Sequence, residues 1–247
     1  EQVSALLTAR ANSEFTHPSI VVENGHYLGV VSPRDLLRSI TDSKLEKARY
    51  ANPLTGLPGN VVIEKEIDYM LAKQKNFHIA YLDLNHFKPF NDIYGYAKGD
   101  LLLKALANCI MLNTNNKHCF VGHIGGDDFI IMFKSENVEV VCQKILRDFA
   151  KQSLVFINEE HQIQQGYSAL DRRGNEVFHP LVSLAIGVIQ PDAACYASYH
   201  QIADLASKAK SEAKKHAGNN LFICRRRKSQ STNGTSMLTN KLKTNAA

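Results

Sequence analysis

Two apolar runs that lead into acidic residues constrain the fold of this chain more than any other feature. Residues 79–84 have the length and bounds of a buried strand, and Asp83 lies where this strand ends and the chain turns. The sequence GGDDF at residues 125–129 lies between two further apolar runs, a pattern that predicts a tight hairpin with acids at its tip. If these strands pair side by side, Asp83, Asp127 and Asp128 converge at one end of a sheet.

Such a convergence has a chemical consequence. Three carboxylates at one end of a sheet repel one another unless a cation neutralises them, and hard oxygen ligands that stay partly open to water suit Mg²⁺ and a phosphate-bearing substrate. This is a geometry for nucleotidyl transfer. The alternative is that Asp83 caps a loop and that GGDDF is an ordinary solvated hairpin turn, since such turns also require Gly and Asp. The turn alone favours this alternative, whereas the two segments together favour the site.

The motifs around both segments closely resemble those of the GGDEF domains, whose type activity is diguanylate cyclase. The resemblance extends from about residue 50 to residue 224 and is specific, because several motifs occur in the family's order. In chain order they are NPLTGLP (52–58), DLNHFK (83–88), Asn91-Asp92, Gly95, Gly99-Asp100, GGDDF (125–129) and SLAIG (183–187).

The resemblance implies an α+β fold over residues 52–224. The central sheet would be mainly antiparallel and flanked by helices, as in nucleotidyl cyclases and polymerase palm domains. Residues 1–41 resemble the C-terminal part of a CBS domain, with two short strands before a helix that starts at Ser32-Pro33. We expect this helix to continue through 42–51 as a linker, and 225–247 to form a basic polar tail.

The CBS-like segment carries a further expectation. In that family, residues that match Ser32 and Asp35 contact an adenosine ligand, but a helix cap and a first-turn acid are the favoured explanation here. A CBS segment before GGDDF resembles proteins in which an EAL phosphodiesterase domain precedes the CBS pair. Because the chain also starts inside an apparent helix, we expect it to be a fragment with further domains on its N-terminal side.

The resemblance also implies roles for individual residues. Asp83, the Leu84 carbonyl and Asp127 would hold Mg²⁺ or Mn²⁺, and Asp127 and Asp128 would be the catalytic acids. The substrate-binding residues would be Phe87 and Lys88 at the phosphates, Asn91 and Asp100 at the guanine edge, and Lys214 at a phosphate.

Two of these roles have structural alternatives. Asp100 could equally be the N-cap of the apolar helix that follows it. On the C-terminal helix, a solvated lysine face is at least as good an explanation for Lys208, Lys210 and Lys215.

The implied activity is the condensation of two GTP molecules into cyclic di-GMP with release of pyrophosphate, in a homodimer whose subunits each hold one GTP. Asp128 departs from the family, which has Glu at this position, and its side chain is shorter by roughly 1.5 Å. A misplacement of about 1 Å can lower a rate on the order of 10²-fold. An expected arginine is also replaced by Asn219. The alternative is therefore a degenerate, non-catalytic GTP-binding module that controls an attached phosphodiesterase or another partner.

Three other departures from the family shape the expectations. Asn52 and Asn60 replace the Asp and Arg of the opening motif, so both partners of an implied ion pair are neutral. The family's inhibitory product site is predicted to be absent, because Asn116 and Cys119 replace its Arg and Asp. Residues 162–178 form an apparent insertion, for which we predict a β-hairpin beside the site, and the sequence leaves its chemical role open.

Composition limits the other classes of protein to which this chain could belong. The net charge of +5 arises in the tail, because subtracting its six Lys and Arg residues leaves the rest near −1, so no nucleic-acid-binding face is expected. No stretch has the length of a membrane span and no signal peptide opens the chain. The five cysteines lack metal-ligand spacing, which favours reduced cysteines and a cytoplasmic location.

Overall fold

The computed structural model describes residues 17–74, 76–114, 118–134, 137–170, 174–196 and 198–224. The predicted N-terminal helix at residues 1–14, the tail at 225–247 and Asn116 lie outside these residues. In the described part, no helix has the length and apolar character that a membrane span needs.

The secondary structure alternates between strands and helices. In chain order, the strands of the described residues are β1 (Ser19–Glu23), β2 (His26–Val31), β3 (His78–Asn85), β4 (Cys119–Gly125), β5 (Asp128–Phe133), β6 (Gly166–Leu170), β7 (Glu176–Pro180), β8 (Ser183–Ile189) and β9 (Asn220–Cys224). Their α-helices are α1 (Pro33–Tyr50), α2 (Asn60–Ala72), α3 (Phe87–Tyr94), α4 (Tyr96–Asn113), α5 (Val138–Ser153), α6 (Glu159–Gln164) and α7 (Tyr199–Lys214).

The segment before the main domain contains the predicted hairpin and helix. Strands β1 and β2 pair antiparallel, and Asn24 and Gly25 form the turn with φ angles of 50° and 81°. The Ser32 hydroxyl caps α1 by accepting a hydrogen bond from the Asp35 backbone N–H at 3.1 Å, and it donates to Asp35 Oδ2 at 2.6 Å. Ser32 is therefore the N-cap of α1 and Asp35 is an acid of its first turn, as the favoured explanation predicted.

The central sheet of the described residues has five strands in the order β4-β5-β3-β8-β9. Its neighbours are antiparallel except for β8 and β9, which pair in parallel. This arrangement confirms the predicted mainly antiparallel sheet flanked by helices. β3 is the middle strand and is buried on both faces, which explains its continuous apolar sequence.

Helices cover the two faces of the sheet. Ala80 and Leu82 of β3 belong to the core cluster that contains residues of α4 and α5, whereas Ile79 and Tyr81 belong to the cluster that contains residues of α2 and α7. This alternation follows from the opposite directions of successive side chains in a strand. The ends of β3 and β5 are thereby held between packed layers.

A close approach between α7 and β8 positions the C-terminal helix. Gly187 of β8 lies against α7, and a Cβ atom at this glycine would overlap the backbone of Ala209 and Lys210. Two residues earlier on the same face of β8, the small Ala185 pairs with Asp83 of β3. Small residues thus bring α7 close to the point where β3 carries its carboxylate.

The structure corrects two predicted elements. α4 begins at Tyr96, because Gly95, at a φ of 84°, ends α3 and starts the next helix. Asp100 therefore lies inside α4, and the N-cap alternative for it is wrong. In the insertion, α6 replaces the start of the predicted hairpin, since Asn158 and two first-turn acids favour a helix, and β6 and β7 follow it.

Candidate functional site

Two acids and two lysines meet at the edge of the sheet where β3 nears its last residue and β5 begins. Leu82 pairs with Phe129, so Asp83 and Asp128 are the next residues toward the same end of the neighbouring strands. The Lys210 Nζ atom lies 3.0 Å from Asp83 Oδ2 and 2.5 Å from Asp128 Oδ1. Lys214 Nζ forms an ion pair with the other oxygen of Asp83. We refer to Asp83, Asp128, Lys210 and Lys214 as the acid–lysine cluster.

The interior of this cluster is shielded from solvent. Asp83 is only 5% exposed, so its charge requires compensation from within the protein. Burial lowers the pKa of Lys210, but its hydrogen bonds to Asp128 and Asp83 outweigh this effect and raise the pKa overall. Lys210 is therefore a charged ammonium group that is held between two carboxylates.

Asp127 lies beside the cluster in the tip of the β4–β5 hairpin. Burial, together with the nearby charge of Asp83, raises the pKa of Asp127 to about 6. Gly126 precedes it with a φ of 56°, a left-handed conformation that glycine adopts without strain. The structure thus brings Asp83, Asp127 and Asp128 to one end of the sheet, as the sequence predicted.

The donor atoms of this region suit a hard divalent cation. In the described residues, no three His, Cys, Asp or Glu side chains already form a cluster that could hold a metal ion. However, one ammonium nitrogen contacts both Asp83 and Asp128, so the oxygens of these two residues reach a common point. Carboxylate oxygens are the ligands that Mg²⁺ and Mn²⁺ prefer, so a metal ion fits there if the ammonium moves away.

A pocket of about 490 Å³ adjoins the cluster. Its lining contains five of the predicted site residues, namely Leu84, Phe87, Lys88, Asn91 and Asp127. It also contains residues that the sequence did not indicate, namely His86, Pro89, Tyr96 and His179. Asp100 is exposed on α4 and is not part of this lining. Of the predicted site residues, Asp100 therefore belongs neither to the acid–lysine cluster nor to the pocket lining.

The Asn91 side chain occupies space that a glycine on the next helix leaves open. A Cβ atom at Gly99 would overlap Asn91 Oδ1, so only glycine leaves room for this amide. The Oδ1 atom is buried and has no hydrogen-bond partner within the protein. A buried acceptor without a partner is unusual, and it shows that no other group of the protein holds the Asn91 oxygen.

Lys88 is exposed at the edge of the same pocket. Its Nζ atom lies 2.6 Å from Asp92 Oδ2, one turn further along α3. Because the pair is exposed, its contribution to stability is small, and a phosphate group can compete with Asp92 for the lysine.

A chain of hydrogen bonds supports the tip of the β4–β5 hairpin. The Asn52 Oδ1 atom accepts from the Thr55 N–H at 3.2 Å, and the Thr55 hydroxyl lies 2.9 Å from His123 Nδ1. His123 Nε2 lies 3.0 Å from the Gly126 carbonyl oxygen and donates to it, so Nδ1 accepts from Thr55. We call this chain the Thr55–His123 relay. It connects the opening motif to the turn that carries Asp127.

The relay predicts how stability depends on pH. His123 is 1% exposed, and burial lowers its pKa in the folded state. The unfolded state therefore binds a proton first, so stability is expected to fall as the pH decreases from about 6.5 toward the lowered pKa. Urea unfolding at pH 7.5 and 5.5 measures this change.

The variant His123→Gln tests the origin of this pH dependence. Glutamine keeps a donor for the Gly126 carbonyl but does not titrate, so the loss of stability between the two pH values should be smaller than in the wild type. The change that remains combines a loss from His86, whose pKa is lowered mainly by burial, with an opposing gain from Asp127, whose pKa is raised to about 6. Equal losses in both proteins would refute the assignment to His123.

Besides His86, Pro89 and Tyr96 of the pocket lining, the sequence analysis missed two further site residues. Lys210 was grouped with a solvated lysine face, which is wrong, because it contacts Asp83 and Asp128. Its spacing of four from Lys214, next to buried Ala209 and Ala213, could have indicated it. His179 lies on β7, directly after the predicted insertion, and lines the pocket, and no sequence signal pointed to it.

The insertion is anchored on the helix that carries Phe87, Lys88 and Asn91. The Tyr94 hydroxyl lies 2.6 Å from His161 Nδ1, and its ring meets that of Tyr167 edge to face, with 6.0 Å between the centroids. Residues of α6 and β6 are thus fixed against α3. The strand β7, which pairs with β6, contributes His179 to the pocket wall.

Comparisons with known proteins agree with this geometry. The family described as "Diguanylate cyclase, GGDEF domain" matches residues 50–220. The chain is 38% identical over 96 residues to diguanylate cyclase DgcZ of Escherichia coli (strain K12), and the matching region covers 38% of this chain and 32% of DgcZ. It is 29% identical over 180 residues to diguanylate cyclase DgcP of the same strain, and this matching region covers 70% of this chain and 47% of DgcP. The chain thus spans less than half the length of these curated relatives.

Solved structures show the same fold. Diguanylate cyclase SiaD of Pseudomonas aeruginosa, in complex with its activator SiaC, superposes with a TM-score of 0.59 at 20% identity, over 77% of this chain and 67% of that one. The coiled coil and GGDEF domain of DgcB from Caulobacter crescentus, in complex with c-di-GMP, gives a TM-score of 0.57 at 21% identity, over 77% and 93% of the two chains.

Proposed function

Because the chain belongs to the GGDEF family of diguanylate cyclase domains, we propose that residues 52–224 bind GTP and condense two GTP molecules into cyclic di-GMP, with release of pyrophosphate. One observation carries this proposal. Asp83 and Asp128 share a cation beside a pocket that Asn91 and Asp127 line. Acids that meet at a cation next to a pocket of this size suit a metal–triphosphate substrate.

In this proposal, Asp83, the Leu84 carbonyl and Asp127 would hold the metal ion. Bound Mg²⁺ or Mn²⁺ would supply charge stabilisation at the transferred phosphate. In the reaction, the 3′-oxygen of one GTP forms a bond to the α-phosphorus of the other, and the bond to pyrophosphate breaks. Asp128 serves as the second acid, either as a further metal ligand or as the acceptor of the 3′-hydroxyl proton.

The substrate is oriented by the residues of α3, α4 and α7. Asn91, with its free buried oxygen, and Asp100 pair with the amino and imino groups of guanine. The backbone at Phe87 and the charges of Lys88 and Lys214 hold the phosphates. Because each site holds one GTP, two subunits must face each other, so a homodimer is the catalytic unit.

The second candidate is a GTP-binding module without catalysis that regulates an attached phosphodiesterase or another partner. A specific observation favours it. Asn219 stands where the family has an arginine, and its Oδ1 atom accepts from the Leu184 backbone N–H at 2.8 Å. Its side chain therefore supports the sheet, and the fork that an arginine offers to phosphate is lost.

Incubation of the purified chain with GTP and Mg²⁺, followed by chromatography for cyclic di-GMP and an assay for pyrophosphate, separates the two candidates. Both products in a 1:2 ratio support the cyclase. A rise in melting temperature with GTP but no product supports the regulatory module. If GTP gives no product and does not stabilise the protein, both candidates are contradicted.

The assignments outside this domain stay predictions. They are the CBS-like segment at 1–41, the linker at 42–51, the tail at 225–247, the domains expected upstream and the cytoplasmic location. The helix α1 runs through residue 41, so the segment and the linker share one continuous helix.

A further inference from the structure

We propose that Lys210 is a built-in cation that competes with the divalent metal for Asp83 and Asp128, so that metal binds tightly only together with the triphosphate. This inference rests on the proposed function, with Asp128 in the role of a further metal ligand, because it concerns the metal and the nucleotide of that site. It assigns to Lys210 a role in metal binding that the sequence motifs do not indicate.

The contacts of Lys210 are those that a metal ion would need to replace. Its Nζ atom lies 3.0 Å from Asp83 Oδ2 and 2.5 Å from Asp128 Oδ1. Lys214 pairs with the second oxygen of Asp83. Both carboxylates therefore already have cationic partners from α7, and a metal ion must displace Lys210 in order to bridge them.

The charges of the cluster oppose binding of a free metal ion. Asp83 and Asp128 contribute two negative charges, which the positive charges of Lys210 and Lys214 balance, so only Asp127 adds a negative charge at the metal site. A divalent cation that approaches it lacks the attraction that two unpaired carboxylates would exert. Displacing Lys210 would also leave a partly buried ammonium without a partner, which is costly.

A triphosphate removes both obstacles. Its oxygens offer Lys210 and Lys214 new anionic partners, and the flexible four-carbon stem of lysine allows the ammonium to move to them. The carboxylates that it leaves become available to the metal ion that accompanies the phosphates. Metal and nucleotide are then coupled, and each raises the affinity for the other by the same factor.

The backbone of Lys210 is fixed, so only its side chain can make this exchange. Gly187 allows α7 to approach β8 at Ala209 and Lys210, and Ala209 is buried at this contact. The Lys210 Cα atom is therefore anchored beside the sheet. Lys208, one residue before Ala209, is exposed and provides a matched lysine of the same helix.

The test measures Mn²⁺ binding directly, by electron paramagnetic resonance of the free ion, with and without a non-hydrolysable GTP analogue. The proteins are the wild type, Lys210→Met and the control Lys208→Met. Lys210→Met should bind Mn²⁺ without nucleotide on the order of 10-fold more tightly than the wild type, within the usual range of coupling between sites. The gain in affinity on adding the analogue should shrink by a similar factor. Lys208→Met should behave as the wild type.

The outcomes separate this inference from the proposed function. If Lys210→Met and the wild type bind Mn²⁺ equally without nucleotide, the inference is overturned while the proposed function stands. If no protein binds Mn²⁺ even with the analogue, the proposed metal site fails and the inference fails with it. Should circular dichroism show that Lys210→Met is unfolded, Lys210→Gln gives the same test, because it removes the charge and keeps a donor. Lys210→Arg, which keeps the charge, should retain weak Mn²⁺ binding without nucleotide.

Discussion

Replacement of Asp127 by asparagine is expected to lower the rate of cyclic di-GMP formation by at least ~100-fold, the effect of removing one charge-stabilising group from an active site. Asparagine has nearly the same shape as aspartate but lacks the negative charge that a metal ligand and a catalytic acid both need. The rate is measured from the release of pyrophosphate at saturating GTP and Mg²⁺.

Loss of folding is not expected to cause this decrease. Burial and the charge of Asp83 raise the pKa of Asp127 to about 6, so the folded protein gains nothing from ionising this group. Removing the charge should leave the melting temperature unchanged or raise it. Asp204→Asn, an exposed acid on α7, is the matched control and should keep the wild-type rate. An Asp127→Asn variant that retained more than about one tenth of the wild-type rate would exclude the proposed role.

The sequence predicted the parts of the site that local patterns determine. β3 and the β4–β5 hairpin follow from apolar runs and from turn chemistry, and their antiparallel pairing brings Asp83 to Asp128. Asn91 was indicated by the family resemblance, and the structure explains its position through Gly99.

The parts that were missed depend on tertiary contacts. Several lysines of α7 occur at spacings that do not distinguish a solvated face from a site. The approach of α7 to Gly187 decides that Lys210 contacts Asp83, while Lys208 remains exposed. The position of His179 in the pocket likewise depends on how the insertion packs against Tyr94, far away in the sequence.

Gly187→Ala is expected to lower the free energy of unfolding by about 2–3 kcal/mol, because overpacking a tight contact carries a cost of this size. The added Cβ atom would overlap the backbone of Ala209 and Lys210, which cannot move aside as a flexible side chain can. For a domain of this size, this change corresponds to a decrease of roughly 4–12 °C in melting temperature. Urea denaturation and differential scanning calorimetry measure both quantities.

The same substitution should also weaken the site, since α7 carries both lysines of the acid–lysine cluster. If α7 moves away from β8, Lys210 and Lys214 move away from Asp83, and the buried carboxylate loses its compensating charges. Variants that remain folded should therefore bind the GTP analogue less tightly than the wild type. Ser207→Ala adds no atoms on the exposed side of α7 and should change neither stability nor nucleotide binding. A Gly187→Ala protein with wild-type stability would show that α7 does not depend on this contact, and the placement of Lys210 would then need another cause.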